Sequence, residues 1–106
     1  KETLEKLKLS HELLANKEYD KFQSRLLELL LFYVSKNFSI TKSNLSMENI
    51  NRVLIHRGVP KDLIAEYVYL LEYLEKCKYS PHQELEINKD LYARSVSVVK
   101  KINEII

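Results

Sequence analysis

The sequence predicts an all-α domain, a compact bundle of about five helices. Three observations carry that expectation. Apolar residues recur at helical spacing in five blocks, and no stretch alternates at period two over a strand's length. The chain holds one glycine and two prolines, all at block boundaries. At 106 residues, 45% hydrophobic and 30% charged, it has the size of one domain spanning residues 1–106. Such a chain buries about two-thirds of the surface its unfolded form exposes.

The blocks predict helices over 2–15, 18–37, 46–57, 60–77 and 86–105. Asn16 to Asp20 form a connection short enough to make the first two an antiparallel, tetratricopeptide-like pair. In the second helix, Phe22, Leu26, Leu27, Leu29, Leu30, Leu31, Tyr33 and Val34 spread over about half the circumference. A face that broad needs more than one neighbour. Phe32 falls instead among the polar residues, as a rim residue under the first helix or a loop, or as a partner contact.

Ser46 offers an N-cap to the third helix, with Asn49 three residues on. Met47, Ile50, Val53 and Leu54 point inward there, while Asn51 and His56 face away and Ile55 lies off the stripe. Arg57-Gly58-Val59-Pro60 then reads as a corner: Gly58 caps one helix in a left-handed conformation and Pro60 opens the first turn of the next. The fourth helix carries a stripe of Leu63, Tyr67, Leu70, Leu71 and Leu74. Ile64, Val68, Tyr69 and Tyr73 widen it almost to a full circle, which suits a buried helix or one with an aromatic interface. Pro81 ends this segment. The fifth helix is amphipathic, with Leu91, Val98, Val99, Ile102, Ile105 and Ile106 in one stripe and Ser95 within it.

Convergent chemistry is absent from the pattern. The three histidines lie far apart, and none pairs with Cys, Asp or Glu at a metal-ligand spacing. His11 reads as a boundary histidine on the apolar face of the first helix. The single cysteine, Cys77, lies between Lys76 and Lys78 without a candidate base; it rules out an intrachain disulfide and fits a reducing compartment. One glycine cannot make a phosphate-binding loop. No enzyme, cofactor or metal site is therefore expected.

Nucleic acid is not an expected partner either. The net charge is +2, from 17 Lys/Arg against 15 Asp/Glu, with the signs interspersed. The helix after the glycine corner presents Asp62, Glu66, Glu72 and Glu75, which would repel a phosphate backbone. The longest apolar run, Leu26 to Val34, is broken by Glu28 and falls far short of the roughly 20 residues of a membrane span. The chain begins without Met or a signal peptide, so a piece excised from a longer protein is expected.

Several short signals occur in a set order. Lys6 and Lys8 mark the first helix, Asp20 and Phe22 the following turn, and Tyr33-Val34-Ser35-Lys36 the end of the second helix. Leu45-Ser46, Arg57-Gly58-Val59, an acidic leucine-rich helix and Lys78-Tyr79-Ser80-Pro81 follow. As an ordered set these resemble the C-terminal helical domain of BatD, the Bacteroides aerotolerance (oxygen tolerance) family. The family's common Cys would fall at Leu74, and Cys77 where the family often has Ala, so no thiol role carries over.

The resemblance implies a membrane-anchored envelope protein with this domain as its tail on the cytoplasmic side of the inner membrane. It also implies protein partners, among them other proteins of the Bat operon or a MoxR-type ATPase, and an assembly role without catalysis. Phe32, Tyr69 and Tyr73 are the expected partner contacts, each a large aromatic off the main apolar stripe. The alternative is a regulatory module that binds a small ligand between the second, fourth and fifth helices.

Overall fold

The computed structural model describes residues 2–106. Helices α1 (Glu2–Leu9), α2 (His11–Ala15), α3 (Tyr19–Phe38), α4 (Met47–His56), α5 (Lys61–Cys77) and α6 (Leu85–Ile105) follow in order, with a 3-10 turn at Lys42–Asn44. Among the described residues there is no strand. The all-α bundle of about five helices expected from the pattern is therefore the observed fold, with the first helix broken in two.

The break lies at Ser10. Its hydroxyl donates to the Leu7 carbonyl at 2.5 Å, and its N–H is shared between the Lys6 and Leu7 carbonyls, both at 3.1 Å. The Leu13 N–H then reaches back only three residues, to the Ser10 carbonyl. A buried serine that competes for backbone partners in this way tightens and interrupts a helix. The interruption shifts the register of the following turn. His11, expected on the apolar face, is exposed, with its ring edge-on to Tyr92 at 5.1 Å.

Helix α3 is the hub. Ten of its residues are buried, and α1, α2, α4, α5 and α6 all pack against it. α1 runs antiparallel to it: Glu2 meets Lys36, and Lys6 meets Phe32. α6 lies against both the α1–α2 arm and α5. Its stripe is buried from Leu91 to Ile102, but Ile105 and Ile106, expected inside, are exposed because the last turn runs beyond the covered part of the helix.

Three helices end in the same way. After α4, the Val59 N–H donates to the Leu54 carbonyl and the Gly58 N–H to that of Ile55, both at 3.0 Å, with Gly58 at φ +84. Leu54 and Val59 are buried together. This pairing is the Schellman motif. After α2, Glu18 and Lys17 donate to Leu13 and Leu14 with Lys17 at φ 60. After α3, Ile40 donates to Ser35 with Ser39 at φ 55. Only one of the three left-handed corners carries the residue that favours it. Pro60 sits one position earlier than expected, as the residue that precedes α5, its carbonyl accepting the Ile64 N–H at 3.1 Å.

A Cβ at Gly58 would meet nothing within 4 Å, so the cost of replacing it is conformational. Gly58→Ala is expected to lower stability by about 1 kcal/mol, and Gly58→Val by more. Ser39→Gly and Lys17→Gly should each raise it by about 0.5–1 kcal/mol. Urea midpoints of the four variants check the set; opposite signs at Gly58 and Ser39 are the expected outcome.

Candidate interaction surface

Two of the three candidate aromatics share a helix face. Tyr69 and Tyr73 are four residues apart on α5, and their rings lie within 5° of parallel with centroids 6.0 Å apart. Tyr69 is 49% exposed in the middle of the helix, whereas Tyr73 is partly buried and packs on the core. Of these two expected partner contacts, Tyr69 is the more exposed, and Tyr73 supports it from the core side. Burial pushes the Tyr73 hydroxyl up, with smaller contributions from Cys77, Tyr69 and Glu84.

Each end of this stack is anchored. The Arg94 guanidinium of α6 lies 4.7 Å from the Tyr69 ring centroid, a cation–π distance. Arg94 is itself held by two hydrogen bonds to Glu66, at 2.8 and 2.6 Å, and reaches Asp90 at 3.5 Å. Paired N–H donors on one carboxylate fix the plane of a guanidinium as well as its position. The hydrogen bond from Arg94 holds the Glu66 carboxyl below its usual range, against the opposing effect of burial.

At the other end the His82 ring sits 5.7 Å from that of Tyr73. His82 belongs to the α5–α6 loop, which a buried amide pair ties to α3. Gln23 Nε2 donates to Asn88 Oδ1 at 2.6 Å and to the His82 carbonyl at 3.0 Å. Asn88 Nδ2 donates to the carbonyls of Glu84 at 2.7 Å and His82 at 3.3 Å. Both amides are essentially unexposed. A continuous series of contacts thus runs from the core, through His82 and Tyr73, to the exposed ring of Tyr69.

Neither Gln23 nor Asn88 is a candidate on residue type alone. Their position is the signal. Gln23 lies on the stripe of Leu26, Leu27 and Leu30, and Asn88 on that of Leu91, Ser95 and Val99. A buried polar side chain on an apolar stripe is stabilised by a partner: the two amides find each other through Gln23 Nε2 and Asn88 Oδ1, while Gln23 Oε1 and Ser95 Oγ are buried without a hydrogen bond.

Tyr69 stands on a ridge between two shallow grooves. One, about 520 Å³, lies between α4 and α5 and includes Ile55, Ala65 and Val68; Ile55 is 55% exposed. The other, about 330 Å³, lies between α5 and α6 and includes Glu86, Ile87 and Asp90. Between α3, α5 and α6, where the alternative reading places a small ligand, Leu30, Tyr33, Tyr67, Leu70, Leu71 and Val99 are buried. Phe32 lines neither groove. It is 40% exposed on α3, under the Lys6 ammonium of α1 at 5.4 Å and the Lys36 ammonium at 5.6 Å, so the rim position below the first helix is where it lies.

Burial pushes the Cys77 thiol up, only partly offset by a backbone hydrogen bond at His82. Among the described residues, no three His, Cys, Asp or Glu side chains are grouped to hold a metal ion, and no helix is long and apolar enough to cross a membrane. Comparison of the chain with protein-family models, curated proteins and solved structures returns no match.

Two measurements test how the surface is built. Tyr73→Ala is expected to lower stability by about 2 kcal/mol, while Tyr69→Ala stays within about 1 kcal/mol of the parent chain. The lowered Glu66 carboxyl sets a pH dependence. Its contribution is present above the ordinary value of 4.5 and is lost as pH falls through the lower folded-state value. Urea midpoints of the parent and Glu66→Gln should therefore differ near neutral pH and converge in acid.

Proposed function

We propose that this chain is a non-catalytic helical docking domain whose Tyr69 face receives a partner protein. One observation carries the reading. Tyr69 is a large aromatic side chain, half exposed between two grooves, and held in place by Arg94 on α6 and Tyr73 on α5. Ordering a mobile side chain opposes association; a ring already held loses less freedom on binding. Tyrosine and arginine, here in contact, are also favoured residue types at the centres of protein interfaces.

The resemblance to the BatD tail is part of the proposal and rests on the ordered sequence motifs. Under it the domain belongs to a membrane-anchored parent, faces the cytoplasm, and acts in an envelope-associated assembly. Its partners would then come from the Bat operon or be a MoxR-type ATPase.

A pull-down with these purified candidates tests the reading. Tyr69→Ala should retain its melting profile and lose capture, with Arg94→Ala intermediate. Undiminished capture by a folded Tyr69→Ala chain would remove the Tyr69 face from the proposal.

A further inference from the structure

A groove larger than either of those at Tyr69 lies elsewhere, beside Phe32. It measures about 820 Å³, and Lys6, Leu31, Phe32, Ser35, Lys42 and Leu45 line it. Its floor is apolar: Leu31 and Leu45 are half-buried, and Phe32 presents an exposed ring. Its rim is basic. Lys6, Arg25 and Lys42 border it against one acid, Glu28, which pairs with Arg25.

The remaining cations are incompletely neutralised. Lys6 at 3.3 Å and Lys36 at 2.5 Å share the single carboxylate of Glu2. Their hydrogen bonds, that of Lys36 foremost, hold the Glu2 carboxyl below its usual range. Two ammoniums on one carboxylate leave a positive charge over. Lys42 has no carboxylate within 4.0 Å among the described residues. The grooves at Tyr69 have the opposite balance, with Glu72, Glu86 and Asp90 against Lys61 and Arg94. The chain's small net charge conceals two surfaces of opposite sign.

We infer that the Phe32 groove is a second docking site, and that its occupant is an acidic amphipathic helix of a partner protein. An apolar floor running beside helices α1 and α3 suits the apolar stripe of a helix laid along it. Phe32, already placed under two lysines, supplies the aromatic anchor. The uncompensated lysines at the rim select glutamate or aspartate on the flanks of the incoming helix, by attraction that weakens with salt. The inference rests on reading the chain as an interaction domain, but uses a surface separate from Tyr69.

NMR titration of isotope-labelled protein with a designed amphipathic peptide, leucine on one face and glutamate on the other, tests it. A matched peptide with lysine in place of every glutamate is the control. Shifts are expected at Leu31, Phe32, Ser35, Lys42 and Leu45 with the acidic peptide only. Affinity should fall about tenfold or more in Phe32→Ala, fall in Lys42→Glu, decline with salt, and be unaffected by Tyr69→Ala. Lys42 is exposed on the 3-10 turn, so its variant keeps the test valid should Phe32→Ala loosen α1.

Absence of acidic-peptide binding, equal binding of the lysine peptide, or shifts centred on Tyr69 would overturn the inference. So would binding to vesicles of anionic lipid in place of the peptide, or a concentration-dependent rise in mass abolished by Phe32→Ala, which would make the occupant a second copy. Loss of the groove's binding alongside intact Tyr69-dependent capture would leave the docking-domain reading standing.

Discussion

Everything in this bundle depends on covering α3. Half of its twenty residues are buried, and they are too widely spread around the helix for one partner to cover. The solution is to pack the kinked α1–α2 arm, α5 and α6 around it, with α6 also bridging α5 and the arm. Burial of this much apolar surface favours folding by about 25 cal/mol per Å², but it also carries polar groups inside that must be satisfied. The Tyr67 hydroxyl donates to the Leu30 carbonyl of α3, and the Tyr33 hydroxyl to Asn103 of α6 at 2.6 Å. Desolvation raises both phenols, Tyr33 to about 12 and Tyr67 well above its ordinary value. They stay neutral, and tie α3 to its two longest neighbours without placing a charge in the core.

The same arrangement builds the surface. α5 carries Tyr69 on its exposed face beside Asp62, Glu72 and Lys76, and α4 and α6 flank the helix without closing over that ring. Ridge and grooves follow from that incomplete cover. The amide pair of Gln23 and Asn88 holds the α5–α6 loop down on α3, which brings His82 against Tyr73 and steadies the stack beneath the exposed ring. On the α1 side, Glu2, Lys6 and Lys36 join the arm to α3 and leave positive charge beside Phe32. Two surfaces of opposite sign result from a chain whose charges are interspersed along the sequence, because packing selects which of them come together.

Much of this was legible in the residues. Helical spacing places the long helices to within a residue or so, Ser46 is the cap its position predicts, accepting the Asn49 N–H, and Gly58 is the left-handed corner. The corners at Lys17 and Ser39 were not legible, since neither residue prefers positive φ; they are imposed by the buried residues on either side of each turn. The break at Ser10 is not legible in the pattern, because a serine inside a helical pattern ordinarily continues it. Of the candidate contacts, Phe32 and Tyr69 stood out by lying off the apolar stripes. Tyr73 stood out equally but is held beneath its neighbour. Periodicity gives the side of a helix on which a residue lies, not what the neighbouring helix brings to that side.

Fold class and helix order were determined by the sequence alone, because they depend on local spacing and residue type. Which aromatics are exposed, which charges gather and which amides meet were decided only by tertiary packing. Arg94 and Glu66 are 28 residues apart, Gln23 and Asn88 are 65, and no local pattern links either pair. Those contacts exist because α3 needs cover on several sides at once, and the way the other helices meet that need determines what is left facing solvent.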